Sequence, residues 1–344
     1  MRHFYPAIIV SVVALLIGVA FGYITQPSVA GALLGAESVI ILALMETAES
    51  MDNAIVDARI LKTMTEKWQK RYLTFGMPVA VLGMRFLFPA VIVSAIAAIT
   101  PWEAITLAFK EPHHYAEIMT SAKNNISAFG GTFLLMIALS YFIDEDKEEH
   151  WLTWVEAKAA RLGGVSGFSA GVTLLALLVT SFAVADLRQR CDLLLWGGIG
   201  IVSYVLIKEV LSWLIGDAQS TNTAMRGGFL TFCYLEFIDG SFSFDSVISA
   251  FAITNDPVII AAGLGVGAMV VRCMTLAMLR SDTLAEFSYV EHGAFYTILI
   301  LAILMLVSIF HDIPEWLTGS IGLVLIGGSF VASVWKNKQN AHSP

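Results

Sequence analysis

Two stretches place carboxylates, an amide and hydroxyls inside otherwise apolar sequence: METAESMDN at residues 45–53 and EFIDGSFSFDS at residues 236–246. The first carries Glu46, Glu49, Asp52 and Asn53, and the second carries Glu236, Asp239, Asp245 and Ser246. Glu46 stands six positions before Asp52, as Asp239 stands six before Asp245. Each closing Asp is followed by a small polar residue, Asn53 or Ser246, and then by a return to apolar residues. A recurrence of this kind reads as an internal repeat.

The donor atoms are hard oxygens from Asp, Glu, Asn and Ser, including Ser50, Ser241 and Ser243, and such ligands suit magnesium, calcium or manganese. Neither stretch contains a histidine, and Cys233 is the only thiol nearby, which disfavours zinc and copper. Manganese against calcium is not decided by residue types. An acid at the centre of a bilayer costs about 2.5 to 3.5 kcal/mol, so these groups need protons, cations, water or positive side chains. The helical segment after each motif holds an arginine within apolar sequence, Arg85 in LGMRFLF and Arg272 in MVVRCMT. These two are expected to pair charges or gate. Six acids against two arginines leave an excess of negative charge that suits a divalent cation. On a regular helix Glu46 and Asn53, seven apart, share a face, whereas Asp52 points about 120° away from Glu46. The expectation is that Glu46 and Asn53 face the ion while Asp52 meets an arginine or a proton path; in the second copy Gly240 offers a place for a helix break.

The elements that carry these residues follow from composition. The chain is 57% hydrophobic and 14% charged, with a mean hydropathy of +0.75, which describes an all-α polytopic membrane helix bundle. Apolar runs long enough to cross a bilayer predict about ten transmembrane helices, at 7–25, 33–56, 75–99, 126–143, 164–185, 193–216, 227–253, 257–279, 292–310 and 317–335. The first is read as a retained helix. Arg59, Lys62, Lys67, Lys70 and Arg71 lie in one joint and most other joint cations fall on the same side, with Lys110, Lys123, Arg188 and Arg190 opposite. The bias places both termini in the cytoplasm. The chain is then a single transmembrane domain, 1–344. Helices 2–4 at 33–143 form one repeat and helices 7–9 at 227–310 form another of inverted topology, joined by helices 5–6 at 164–216 and followed by helix 10 at 317–335. Inverted repeats around a site near the midplane are the architecture of secondary transporters.

Other features are read more plainly. Cys191, Cys233 and Cys273 form no metal or disulfide pattern and read as small buried apolar residues. A net charge of -8 argues against a nucleic-acid partner. DEDKEE at 144–149 is a solvated connector, His113 and His114 sit in an outer loop, Asp57 is a helix-end acid, and Glu291 and His292 are interfacial. No Walker motif implies ATP hydrolysis. No GxGD arrangement supports an intramembrane aspartyl protease, so no enzyme activity is expected.

The paired motifs resemble the two acidic signatures of the TerC-type membrane proteins, and FSFDSVISAFAIT with YVEHGAFY is similar to a largely uncharacterised bacterial branch of that superfamily. The resemblance covers about residues 35–310. It implies a multi-pass bacterial inner-membrane protein of the clan that includes LysE-like exporters, with manganese efflux as its activity and tellurium resistance as its historical label. Carried over by position, the functional residues are Glu46, Asp52 and Asn53, with Asp239, Asp245 and Ser246; Glu49 and Glu236 go beyond the family pattern. The resulting expectation is an exporter of manganese or calcium, exchanging with protons or sodium, with no permanently bound cofactor. The alternative is a membrane scaffold or assembly factor that holds a structural ion. Oligomeric state is left open.

Overall fold

The computed structural model describes residues 4–144, 147, 149–163, 165, 167–216, 221–281, 286–311 and 313–342; the side chain of Asp245 and those of residues 241–244 lie outside the described set. All regular structure among the described residues is helical: α1 (Tyr5–Thr25), α2 (Val29–Glu49), α3 (Met51–Lys62), α4 (Glu66–Pro78), a π-helix (Val79–Leu87), α5 (Phe88–Ala97), α6 (Pro101–Lys110), α7 (Pro112–Ser121), α8 (Lys123–Phe142), α9 (Thr153–Ala160), α10 (Phe168–Ala183), α11 (Leu187–Gly216), α12 (Thr221–Ile253), α13 (Pro257–Ser281), α14 (Val290–Val307) and α15 (Glu315–His342). Seven of these are long and apolar enough to cross a bilayer, or eight if the bent pair α5–α6 is one span. The protein is a polytopic helical membrane protein. Of the remaining expected spans, 75–99 falls on the broken series from α4 to α5, 164–185 on the 16-residue α10, and 227–253 on α12 with its three acids.

The segment read as an outer loop is helical. Pro101 and Pro112 occupy first turns, where a missing N–H costs nothing, and Thr100 forms a reciprocal capping box with Glu103. Between α5 and α6 the chain turns by 104°, with Ala98 left-handed at φ 52°.

The helices group into two compact units. The first comprises Met1–Ala54, Met64–Lys123 and Phe232–Ala277. In it α1 and α2 form a tight hairpin in which Gly18 and Gly22 meet Gly31 and Gly35; a Cβ on Gly35 would lie closer than 3.0 Å to the Gly18 and Gly22 backbone. Backbones approach this closely in membranes because lipid tails offer apolar helices little reason to associate except packing. The opposite face shows Ile8, Ile9, Val12, Val13 and Leu16, a surface suited to lipid. Leu42, Tyr72, Val93, Leu235, Ile238 and Leu264 are buried in this unit.

The second unit comprises Ile55–Thr63, Asn124–Thr231 and Met278–Pro344. Its most enclosed span is α8, tied to α11 by the Thr132 hydroxyl, which donates to the Gly197 carbonyl at 2.9 Å. Tyr141 and Phe295 stack at 3.7 Å between centroids, and Arg59 lies over both rings while pairing with Glu291 at 2.9 Å. Asp144 and Glu149 of the acidic connector are exposed. Fully buried Glu156 accepts from Lys147 Nζ at 2.7 Å, from the Leu152 N–H at 3.0 Å and from the Tyr296 hydroxyl at 3.1 Å. His292, in the first turn of α14, is likewise buried, with Nε2 2.8 Å from the Glu149 carbonyl oxygen. Asp57 is buried, and Cys191 and Cys233 are exposed, with only Cys273 inside.

Candidate functional site

Both motifs lie in the first unit, on α2–α3 and on α12, and the buried arginines come from the π-helix and α13. The helix of the first motif is interrupted at one residue, Ser50, whose hydroxyl donates to Glu46 Oε1 at 3.0 Å. A serine that bonds a neighbouring side chain competes with regular helix geometry. The second motif, by contrast, runs through α12 without interruption, Gly240 included. The break therefore falls in the copy that lacks glycine.

Arg85 reaches its position on an unusual element. Pro89 has no N–H to give the Arg85 carbonyl, the bond an α-helix requires there, and the preceding turns widen into a nine-residue π-helix, Val79–Leu87. The guanidinium Nη2 donates to Glu46 Oε1 in a pair almost closed to solvent. The arginine thus meets Glu46, the acid expected to face the ion. Gly267 of α13 lets Glu46 pack this deep, because a Cβ there would strike the Glu46 side chain and the Thr47 backbone.

Arg272 serves the second motif and does not extend away toward a helix end. Its Nη2 donates to Glu236 Oε1 at 3.0 Å and Oε2 at 3.2 Å and lies 3.4 Å from Asp239 Oδ2. Nη1 donates to the Tyr72 carbonyl at 3.1 Å, and the guanidinium carbon sits 4.2 Å from the centre of the Tyr72 ring. The Tyr72 hydroxyl is 3.4 Å from Asp239 Oδ2. Gly76 completes this nest, since a Cβ there would collide with Arg272 and Glu236. Sequence reading missed Tyr72 and Gly76 because they follow Lys67, Lys70 and Arg71 in what looks like a polar joint. The one available signal was a glycine and an aromatic in a segment otherwise suited to helix.

Within the first unit both motifs border a cavity of about 10 Å³, room for roughly one water. Its wall is formed by Glu46, Ser50, Asn53, Arg85, Asp239, Ala268, Val271 and Arg272. Glu46 reaches it from the end of α2, Asn53 from the start of α3, and Ser50 from the break between them. A second link joins the motifs where the Ser246 hydroxyl donates to Glu49 Oε2 at 2.9 Å. Asp52, Glu49, Glu236 and Ser246 are not lining residues of the cavity. Asp245 belongs to α12, but its side chain is outside the described residues.

Three buried oxygens of the first motif, Glu46 Oε2, Asp52 Oδ2 and Asn53 Oδ1, have no hydrogen-bond partner. A buried acceptor without a donor is costly, and hard oxygens in that condition fit a cation. Among the described residues no three His, Cys, Asp or Glu side chains gather as a metal-binding group. In this arrangement arginine is the counter-charge to Glu46, Glu236 and Asp239.

No curated protein and no solved structure matches the chain significantly. A family described as protein of unknown function, DUF475, matches residues 51–340, a segment that begins just after Glu46 and Glu49. With most of its length covered by that match, the chain belongs to the DUF475 family.

Proposed function

We propose that this protein is a secondary transporter that exports a divalent metal cation, manganese or calcium, by alternating access around the two acidic motifs. The observation that carries the reading is the shared cavity, where Glu46 and Asn53 of one motif and Asp239 of the other line one wall system with two arginines. Unpartnered buried oxygens on Glu46 and Asn53 supply ligands of the right hardness. The resemblance to TerC-type proteins points the same way. In this reading the bundle has ten spans and two inverted repeats, 33–143 and 227–310, in a bacterial inner membrane with both termini cytoplasmic. Moving two charges against 100 mV costs about 4.6 kcal/mol, so export requires coupling. Exchange with protons or sodium through the same carboxylates supplies it.

The test compares cellular metal content and growth under manganese, calcium and magnesium stress for wild type, Asp52→Asn and Asp239→Asn. Both substitutions keep side-chain size and remove charge. The expected result is loss of the metal phenotype with protein still present in the membrane; unchanged metal levels in both variants would sink the reading. The completeness of the arginine pairing favours one alternative, a membrane scaffold whose buried charges are structural. That alternative predicts an assembly defect in these variants, with normal metal content.

A further inference from the structure

We infer that Arg85 and Arg272 are tethered counter-cations, and that the transported ion enters the site by displacing their guanidinium groups from the carboxylates. The inference rests on the transport reading above and concerns how the same site is filled and emptied.

Space gives the first reason. Both arginines line the cavity, and the room left between them and Glu46, Ser50, Asn53 and Asp239 is about that of one water. Glu46 Oε2 and Asn53 Oδ1 are open to an ion, but a shell of about six or more oxygens that adds Glu46 Oε1 and Asp239 Oδ2 uses the lone pairs that Arg85 and Arg272 now occupy. The ion completes its shell in place of the guanidinium groups.

Charge gives the second reason. Glu46, Glu236 and Asp239 would be left buried with uncompensated negative charge if the arginines moved away with nothing replacing them. One divalent cation carries the charge of two guanidinium groups, so its entry leaves the electrostatic balance of the site unchanged. A monovalent ion replaces only half of it. The pair of arginines thereby favours a divalent substrate, and their return when the ion leaves restores a neutralised site that keeps the affinity low enough for release.

The two guanidinium groups are held differently. Arg85 stands on a π-helix, an element that is rare and found frequently at functional sites. Arg272 rests on the Tyr72 ring and carbonyl, contacts that do not involve the carboxylates and remain when those bonds break. Glu46 Oε2 and Asn53 Oδ1 already lack donors, so a cation gains ligands there without breaking any bond.

The experiment measures manganese binding and flux with purified full-length protein, in detergent and in proteoliposomes, for wild type, Arg272→Gln and Arg85→Gln. Removing a competing tethered cation is expected to tighten manganese binding about tenfold, equivalent to about 1.4 kcal/mol, while turnover falls because release slows. Weaker or unchanged binding in folded variants overturns the inference while leaving the transport reading intact. If wild type neither binds nor moves manganese, calcium or magnesium, the transport reading itself fails and the inference with it. A second readout needs no variant: mass spectrometry after phenylglyoxal treatment should find Arg85 and Arg272 more reactive with saturating manganese than without it. Equal or lower reactivity with the ion contradicts displacement.

Discussion

Replacing Arg85 by glutamine removes the cation from a carboxylate whose side chain has no solvent exposure. A buried charge left without its partner is strongly destabilising, so the expected loss for Arg85→Gln at pH 7 is about 3 to 5 kcal/mol, the range for a broken buried pair. The double variant Glu46→Gln/Arg85→Gln holds no charge at this point, so its loss should be smaller than the sum of the two single losses. Unfolding of purified protein in micelles by graded denaturant, followed by emission from its eight tryptophans, reads all three variants. An Arg85→Gln protein within about 0.5 kcal/mol of wild type at pH 7, the scale of an ordinary surface change, would refute the buried ion pair.

Three further outcomes follow from other parts of the molecule. Gly35→Ala forces α1 and α2 apart at backbone contacts that have no flexible end to yield, and an overpacking loss of about 1 to 3 kcal/mol is expected in the same unfolding assay. Gly76→Ala pushes a methyl between Arg272 and Glu236; it should impair metal-dependent growth as Glu236→Gln does, although alanine is the better helix former. Glu156 is the third case: burial alone would raise its carboxyl, but the Lys147 ammonium, the Leu152 N–H and the His292 side chain outweigh burial and hold it below the usual carboxylate range. A depressed folded-state value means that this group's contribution to stability is present above the unfolded value and is lost as pH falls through the folded one. Hydrogen exchange at residues 149–160 should accelerate below about pH 4.3, the ordinary glutamate value, in wild type, and be fast at neutral pH in Glu156→Ala.

Composition and apolar run length were enough to identify a helical membrane protein, and the spacing of Glu46, Asn53 and Asp239 pointed to residues that line one cavity. Which acid meets which arginine was not legible. The azimuth of Arg85 depends on a π-helix that no apolar periodicity announces, and its cause, the missing N–H of Pro89, looks in sequence like an ordinary proline within a span. Tyr72 and Gly76 were hidden by the lysines and arginine before them, which mark a joint by charge although the segment folds into α4. The interruption at Ser50 was missed for a related reason: glycine signals backbone freedom, whereas the Ser50 hydroxyl acts through a bond to Glu46 that exists only in the folded chain. The helix α6 could have been found from Thr100–Pro101 and Glu103, a helix-start signal.

Transport through the paired motifs is measured by manganese flux into proteoliposomes under an imposed proton or sodium gradient, comparing wild type with Glu46→Gln and Asp239→Asn. Gradient-driven flux is expected for wild type, and flux at the level of protein-free vesicles for both variants. Wild-type flux no greater than that of protein-free vesicles, for manganese, calcium and magnesium alike, would contradict transport through these motifs.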